Sequence, residues 1–146
     1  MDDKPFDVLL VDDSDDDVLI VQESFKKGNI LNPLKLAKDG RQALDYLRKQ
    51  GPYSEAKTPG LVLMDIKMPR MDGFQVLEEM LNDDALKHIP VVMLTTSSQE
   101  RDIVKSYRHG ACSYIQKPVG LDNFRKVVAD LMFYWTITSK VPGTGR

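Results

Sequence analysis

Four consecutive apolar residues, Leu61 to Met64, run into Asp65, and Ile66-Lys67-Met68-Pro69-Arg70-Met71-Asp72-Gly73 follows. A short unbroken apolar run bounded by turn formers reads as a strand covered on both faces, as in the middle of a parallel sheet. Asp65 then falls at the carboxyl end of a central strand, where open α/β sheets place their ligands. Pro69 breaks any continuation, and Asp72-Gly73 reads as a turn opening the next helix. Asp65 lies too far ahead of that helix to cap it. Its carboxylate is therefore a candidate metal ligand or nucleophile.

The same pattern recurs along the chain. Phe6–Val11 is a second buried strand, and it ends in Asp12 and Asp13. Ser14 is placed to cap a helix whose first turn, Asp15-Asp16-Asp17, complements the helix dipole. That helix is expected to reach about Lys27, with Gly28 as its C′ residue. Leu34-Lys35-Leu36-Ala37 alternates like a strand near a sheet edge. Asp39 should cap a helix over 42–50, closed by Gly51, and residues 51–60 should form a loop. Phe74, Leu77 and Leu81 carry helical spacing, with Pro90 closing that segment. Pro90–Thr95 is another buried strand, and Ser97 and Glu100 have the spacing of a capping box for a helix ending at Gly110. Ser113–Gln116 is a short strand before Lys117-Pro118, and a last helix starts near Leu121 and reaches Phe133-Tyr134-Trp135. Strands alternating with helices predict a doubly wound, mainly parallel α/β sheet with helices on both faces. Residues 1–138 are expected to form one domain, with 139–146 as a disordered tail.

Composition narrows the function. A chain of 146 residues, 42% hydrophobic and 29% charged, suits one globular domain. Its net charge of −2 supplies no basic field for nucleic acid. The longest apolar runs are strand-sized, so no membrane span is expected, and the start lacks the pattern of a secretory signal. The single cysteine, Cys112, fits a reducing cytoplasm and a small buried hydrophobe. His88 and His109 have no ligand-type neighbours at metal spacing and read as surface or helix-end residues.

The residues just beyond the strands carry the chemistry. They are Asp12 and Asp13, then Asp65, then Thr95 and Thr96, then Lys117. In a doubly wound sheet these ends converge on one rim. Crowded carboxylates repel unless a cation lies among them, and a few oxygen ligands favour Mg²⁺. Lys117 adds a point charge and Thr95 a hydroxyl donor, which together suit phosphoryl transfer by positioning and charge neutralisation. Asp65 is then a plausible nucleophile.

From about residue 6 to residue 135 the chain resembles a response-regulator receiver domain of two-component signalling. The matching residues are Val11-Asp12-Asp13, Asp65 with Met68-Pro69 and Met71-Asp72-Gly73, Leu94-Thr95-Thr96, Tyr114, and Lys117-Pro118. The resemblance implies a flavodoxin-like sheet in the order 2-1-3-4-5. It implies that Asp65 accepts a phosphoryl group from a histidine kinase while Asp12 and Asp13 hold Mg²⁺, with the Lys67 backbone carbonyl as a further ligand. Thr95 and Lys117 would bind phosphoryl oxygens, and Tyr114 would be the switch aromatic. Such a chain is a phosphoacceptor assisting its own phosphorylation and dephosphorylation, not an enzyme, and its output runs through protein contacts. The loop at 51–60, the second threonine of Thr95-Thr96-Ser97 and the C-terminal aromatic stretch resemble stand-alone receivers paired with bacterial phytochromes. Lys67 and Ser97, each two residues past a site residue, are expected to flank the path of the hydrolytic water.

Other readings are weaker. Asp12 to Glu23 has the length of an EF-hand loop, but Asp17 stands where that loop needs glycine. No glycine- or hydroxyl-rich phosphate loop follows Val11, which disfavours a flavin module. A haloacid-dehalogenase-like phosphatase shares the layout of Asp, Thr and Lys at strand ends and is the runner-up, although Ser14 interrupts its Asp-x-Asp. On a helical wheel at about 100° per residue, Leu121, Phe124, Val127 and Val128 face the sheet. Phe133 and Ile137 fall on the opposite side, with Tyr134 at the border, which predicts a homodimer built on the C-terminal helix.

Overall fold

The computed structural model describes residues 5–107 and 112–129. Its strands are β1 (Val8–Val11), β2 (Leu34–Ala37), β3 (Leu61–Asp65), β4 (Val91–Thr95) and β5 (Cys112–Gln116). Its helices are α1 (Asp15–Lys27), α2 (Gly40–Leu47), α3 (Gly73–Leu81), α4 (Ser98–Ser106) and α5 over residues 121–129. The five strands pair in parallel in the order β2-β1-β3-β4-β5. This is the flavodoxin-like topology expected, and β2 lies at the edge as its alternation suggested.

Side-chain parity divides the core into two halves. Leu9, Val11, Val62, Met64, Val91 and Met93 pack against α2, α3 and α4 through Leu44, Leu47, Val76, Leu77, Met80 and Val104. Val8, Leu10, Leu61, Leu63, Val92, Leu94 and Ile115 pack on the other face against Val18, Val21, Phe25 and Phe124. The residues of β3 and β4 are buried throughout, which explains their continuous apolar reading. Truncating a fully buried leucine such as Leu63 costs on the order of 2–5 kcal/mol. The Phe124 ring meets that of Phe25 in a tilted arrangement at 4.9 Å, with Val127 and Val128 beside it, so this part of the predicted inner face of α5 docks on the core.

Several boundaries differ from the sequence reading. Helix α1 ends on schedule, but Gly28 keeps an ordinary φ of −88° and Asn29 takes the left-handed turn at φ 52°. A Cβ at Gly28 would lie 2.5 Å from Leu121 Cδ1, the tip of a side chain that can shift to admit it. Asp39 caps α2 as expected, but the helix closes at Leu47 and Lys49 adopts φ 57°. Gly51 then opens a short 3₁₀ turn, Gly51–Tyr53, inside the expected loop, where Tyr53 packs on Tyr46. Helix α3 stops at Leu81, well before Pro90, because turns around Asp83 and Leu86 take up the intervening chain. Helix α4 ends at Ser106, where Tyr107 turns extended, rather than at Gly110. Cys112 begins β5 and is half-buried. His88 is exposed. His109, Gly110, Phe133, Tyr134, Trp135, Ile137 and the tail at 139–146 lie outside the described residues.

Candidate functional site

The ladders deliver the chemistry to one rim. β3 pairs Asp65 with Leu94 of β4, and β1 ends one residue before Asp12, whose N–H still donates to the Ala37 carbonyl at 3.0 Å. Lys117 N–H likewise donates to the Thr95 carbonyl at 2.8 Å, one step beyond β5. Asp65 shares side-chain parity with Leu61 and Leu63, so it projects on the α1 face where Asp12 and Asp13 arrive. Asp12, Asp13 and Asp65 each offer a carboxylate oxygen within 4.8 Å of the others.

The Lys117 ammonium joins these acids. It lies 2.8 Å from Asp65 Oδ1, 2.7 Å from Asp17 Oδ2 and 3.4 Å from Asp12 Oδ2. Burial works against its charge, but its bonds to Asp17 and Asp65 outweigh that and raise its pKa. Burial pushes Asp65 up to about 6, partly offset by the Lys117 bond, while the Asp12 charge adds to the rise. Burial also raises Asp12, against the pull of the Ser14 amide and Lys117. Asp65 Oδ1 further accepts from Ile66 N–H at 3.0 Å, and Asp12 Oδ1 from Ser14 N–H at 2.9 Å. Asp12 Oδ2 is buried without a hydrogen-bond partner among the described residues. An orphaned buried carboxylate oxygen beside two more carboxylates fits a hard divalent cation, whose ligands are oxygens of this kind.

A cavity of about 260 Å³ opens over the acids, lined by residues that include Asp13, Asp65, Lys67, Thr96, Glu100 and Lys117. Thr95 is not among its lining residues. It is fully buried on the α2–α4 face, and its hydroxyl donates to the Ile115 carbonyl at 3.5 Å. Half-buried Tyr114 packs on that same face, with Lys105 Nζ 5.9 Å from its ring centre. The Lys67 side chain is 79% exposed and reaches the cavity mouth.

Two residues of this constellation escaped the sequence reading. Asp17 appeared as part of a negative first turn, yet it pairs with Lys117 from 100 positions away, a separation no local pattern records. Glu100 appeared as half of a capping box. Ser97 does accept from Glu100 N–H at 3.2 Å, but the Glu100 carboxylate goes elsewhere. Its Oε1 accepts from Thr96 N–H at 2.7 Å and from the Thr96 hydroxyl at 3.1 Å.

The loop after Asp65 is fastened from behind. Asp72 and Gln75 form a reciprocal capping box for α3, and Gly73 N–H donates to the Ile66 carbonyl at 2.8 Å. A Cβ on Gly73 would lie 2.2 Å from the Asp65 carbonyl oxygen, so only glycine permits this approach.

Comparison with known proteins agrees with this geometry. Residues 8–129 match the response regulator receiver domain. Response regulator Rcp1 of Synechocystis sp. (strain ATCC 27184 / PCC 6803 / Kazusa) is 38% identical over 135 residues, covering 92% of this chain and 92% of Rcp1. Its Mn²⁺-bound structure superposes with a TM-score of 0.70 at 39% identity, covering 90% of this chain and 94% of that one. The bacteriophytochrome response regulator AtBRR gives a TM-score of 0.81 at 39% identity, covering 88% and 93%. The phosphorylated cyanobacterial phytochrome response regulator RcpA gives 0.71 at 34% identity, covering 95% and 99%. The haloacid-dehalogenase reading finds no support, since the candidate nucleophile stands on the third strand of a receiver sheet. The chain belongs to the response regulator receiver domain family.

Proposed function

We propose that this response regulator accepts a phosphoryl group on Asp65 from a histidine kinase in a Mg²⁺-dependent reaction and signals through altered protein contacts. The observation that carries this reading is a buried aspartate at a cavity, bonded to a buried lysine and flanked by two more carboxylates. With its pKa raised to about 6, Asp65 is still mostly ionised at neutral pH and retains nucleophilic oxygens. A carboxylate oxygen of Asp65 forms the new P–O bond as the P–N bond of a phosphohistidine breaks. The imidazole nitrogen departs with the bonding pair and takes a proton from solvent. Lys117 then faces the phosphoryl oxygens, and the Ile66 N–H holds the attacking carboxylate in place. Asp12, Asp13 and Asp65, with the Lys67 carbonyl, would hold a divalent cation, which would neutralise charge on the transferring oxygens.

Thr95 and Tyr114 share a sheet face, with Tyr114 paired to Met93, two residues before Thr95. In this reading Thr95 leaves Ile115 for the phosphoryl group, and Tyr114 responds to the space released. The named relatives point to a phytochrome-type kinase as the donor. A cytoplasmic receiver fits this donor, and no described helix is long and apolar enough to cross a membrane. The expected homodimer through Phe133, Tyr134 and Ile137 belongs to the same reading. Light scattering on the Phe133→Ser, Ile137→Ser double variant tests it, with loss of the dimer expected.

Incubation with acetyl phosphate and Mg²⁺, read by intact mass, tests the main assignment. One phosphoryl addition is expected in the wild type and none in Asp65→Asn, which keeps the shape and loses the nucleophile. Undiminished phosphorylation of Asp65→Asn sinks it.

A further inference from the structure

The cavity over the acidic cluster is also lined by Lys67, Thr96 and Glu100. Glu100 is a carboxylate only 7% exposed, yet it is neither one of the three clustered acids nor bonded to Lys117. Three donors surround it. The Thr96 amide and the Thr96 hydroxyl both donate to Oε1, and the Lys67 ammonium lies 3.9 Å from Oε2. A backbone N–H, a hydroxyl and an ammonium converging beside a phosphoacceptor are the donor types that bind phosphoryl oxygens. Here the chain fills that set with an anion of its own.

We infer that Glu100 is a displaceable internal anion, holding the Thr96 and Lys67 donors until a phosphoryl group on Asp65 takes them. This rests on the assignment of Asp65 as phosphoacceptor. A phosphoryl group brings about 1.5 to 2 negative charges into the cavity, so it repels the Glu100 carboxylate while competing for its donors. The two states exclude each other. Release of Thr96 frees the segment between β4 and α4, and Glu100, in the first turn of α4, carries the change into that helix. Glu100 is a positioning residue, because it acts through Thr96 and Lys67 and not on the reacting atoms.

The test compares wild type, Glu100→Gln and Glu100→Asp at saturating Mg²⁺, with acetyl phosphate as donor and intact mass as the readout of rate. Removing the charge is expected to speed phosphorylation roughly five- to tenfold, the scale of one like charge at short range under partial solvent screening. The shorter but still charged Glu100→Asp is expected to stay closer to wild type. NMR supplies a second readout that a packing role does not move. In the wild type, the Thr96 amide and the Glu100 side-chain carboxyl carbon should both shift on phosphorylation, the latter to a solvated carboxylate position. Equal rates in wild type and Glu100→Gln, with the Glu100 carboxyl signal unmoved by phosphorylation, overturn the inference and leave the Asp65 assignment intact. A chain that takes no phosphoryl group in wild type or in either variant overturns both.

Discussion

The two walls of the cavity are electrostatic opposites. On one side a lysine is surrounded by the carboxylates of Asp12, Asp17 and Asp65. On the other, a carboxylate is surrounded by an amide, a hydroxyl and a lysine. The lysine of the first wall is nearly buried, its side chain 15% exposed, whereas the lysine of the second is largely in solvent. Charge held in a low-dielectric setting is costly to disturb, while charge at the mouth is screened. The contrast separates a fixed half of the site from an adjustable half.

The strongest way to break the contrast is to empty the first wall. Lys117→Met should destabilise the metal-free protein at pH 7 by about 3 kcal/mol, because it leaves three carboxylates without their buried partner. Urea unfolding with and without Mg²⁺ measures it, with part of the loss restored by the cation. An unchanged midpoint without Mg²⁺ removes the claim that this wall is fixed by Lys117.

A smaller effect of opposite sign follows from Asp65. Its folded pKa of about 6 lies above the ordinary carboxylate value of 3.8, so the folded state binds its proton more tightly than the unfolded state. That contribution to stability is complete below about 4 and is lost as pH rises through about 6. Asp65→Asn should therefore stabilise the metal-free protein by about 2 kcal/mol at pH 7.5. The gain should vanish at pH 4 and shrink when Mg²⁺ is added. Wild-type affinity for Mg²⁺ should rise across the same window, as the proton leaves Asp65. A pH-independent difference between the two proteins contradicts the burial account.

The second wall should yield the smallest stability change. Lys67→Asn is expected to alter unfolding free energy by less than about 0.5 kcal/mol, since an exposed ion pair contributes little. The dephosphorylation rate should change more than Mg²⁺ affinity does, because only the backbone carbonyl at this position is assigned to the cation. Parallel measurement of both quantities decides it, and a larger loss of Mg²⁺ affinity than of lifetime reverses the assignment.

Much of the fixed half was legible because parallel strands advertise themselves. Buried runs ending at Asp12, Asp65, Thr95 and Lys117 imply a common rim once the alternation of elements is seen. Caps at Ser14, Asp39 and Ser97 were readable because each small polar side chain stands just ahead of a helical pattern, and each bonds the backbone amide three residues on. Helix ends were harder. The left-handed turn expected at Gly28 falls one residue later, on Asn29, and Lys49 already turns the chain at φ 57° before Gly51, which takes φ 58° as well. Asp17 and Glu100 were hidden for another reason. Each makes sense locally as a helix-start acid, and only the tertiary fold shows what else its carboxylate holds.

Gly73 adds a consequence that concerns inheritance more than chemistry. The backbone of Asp65 can sit where it does because position 73 has no side chain, and alanine there would force a displacement on the order of an ångström. Such a lesion would keep every acid, the lysine and both threonines, and so pass unnoticed in any survey of charged residues. It would still mis-set Asp65 relative to its partners. The mutational target of this site therefore includes an atom that is not there, since a single methyl group at position 73 displaces Asp65 from behind.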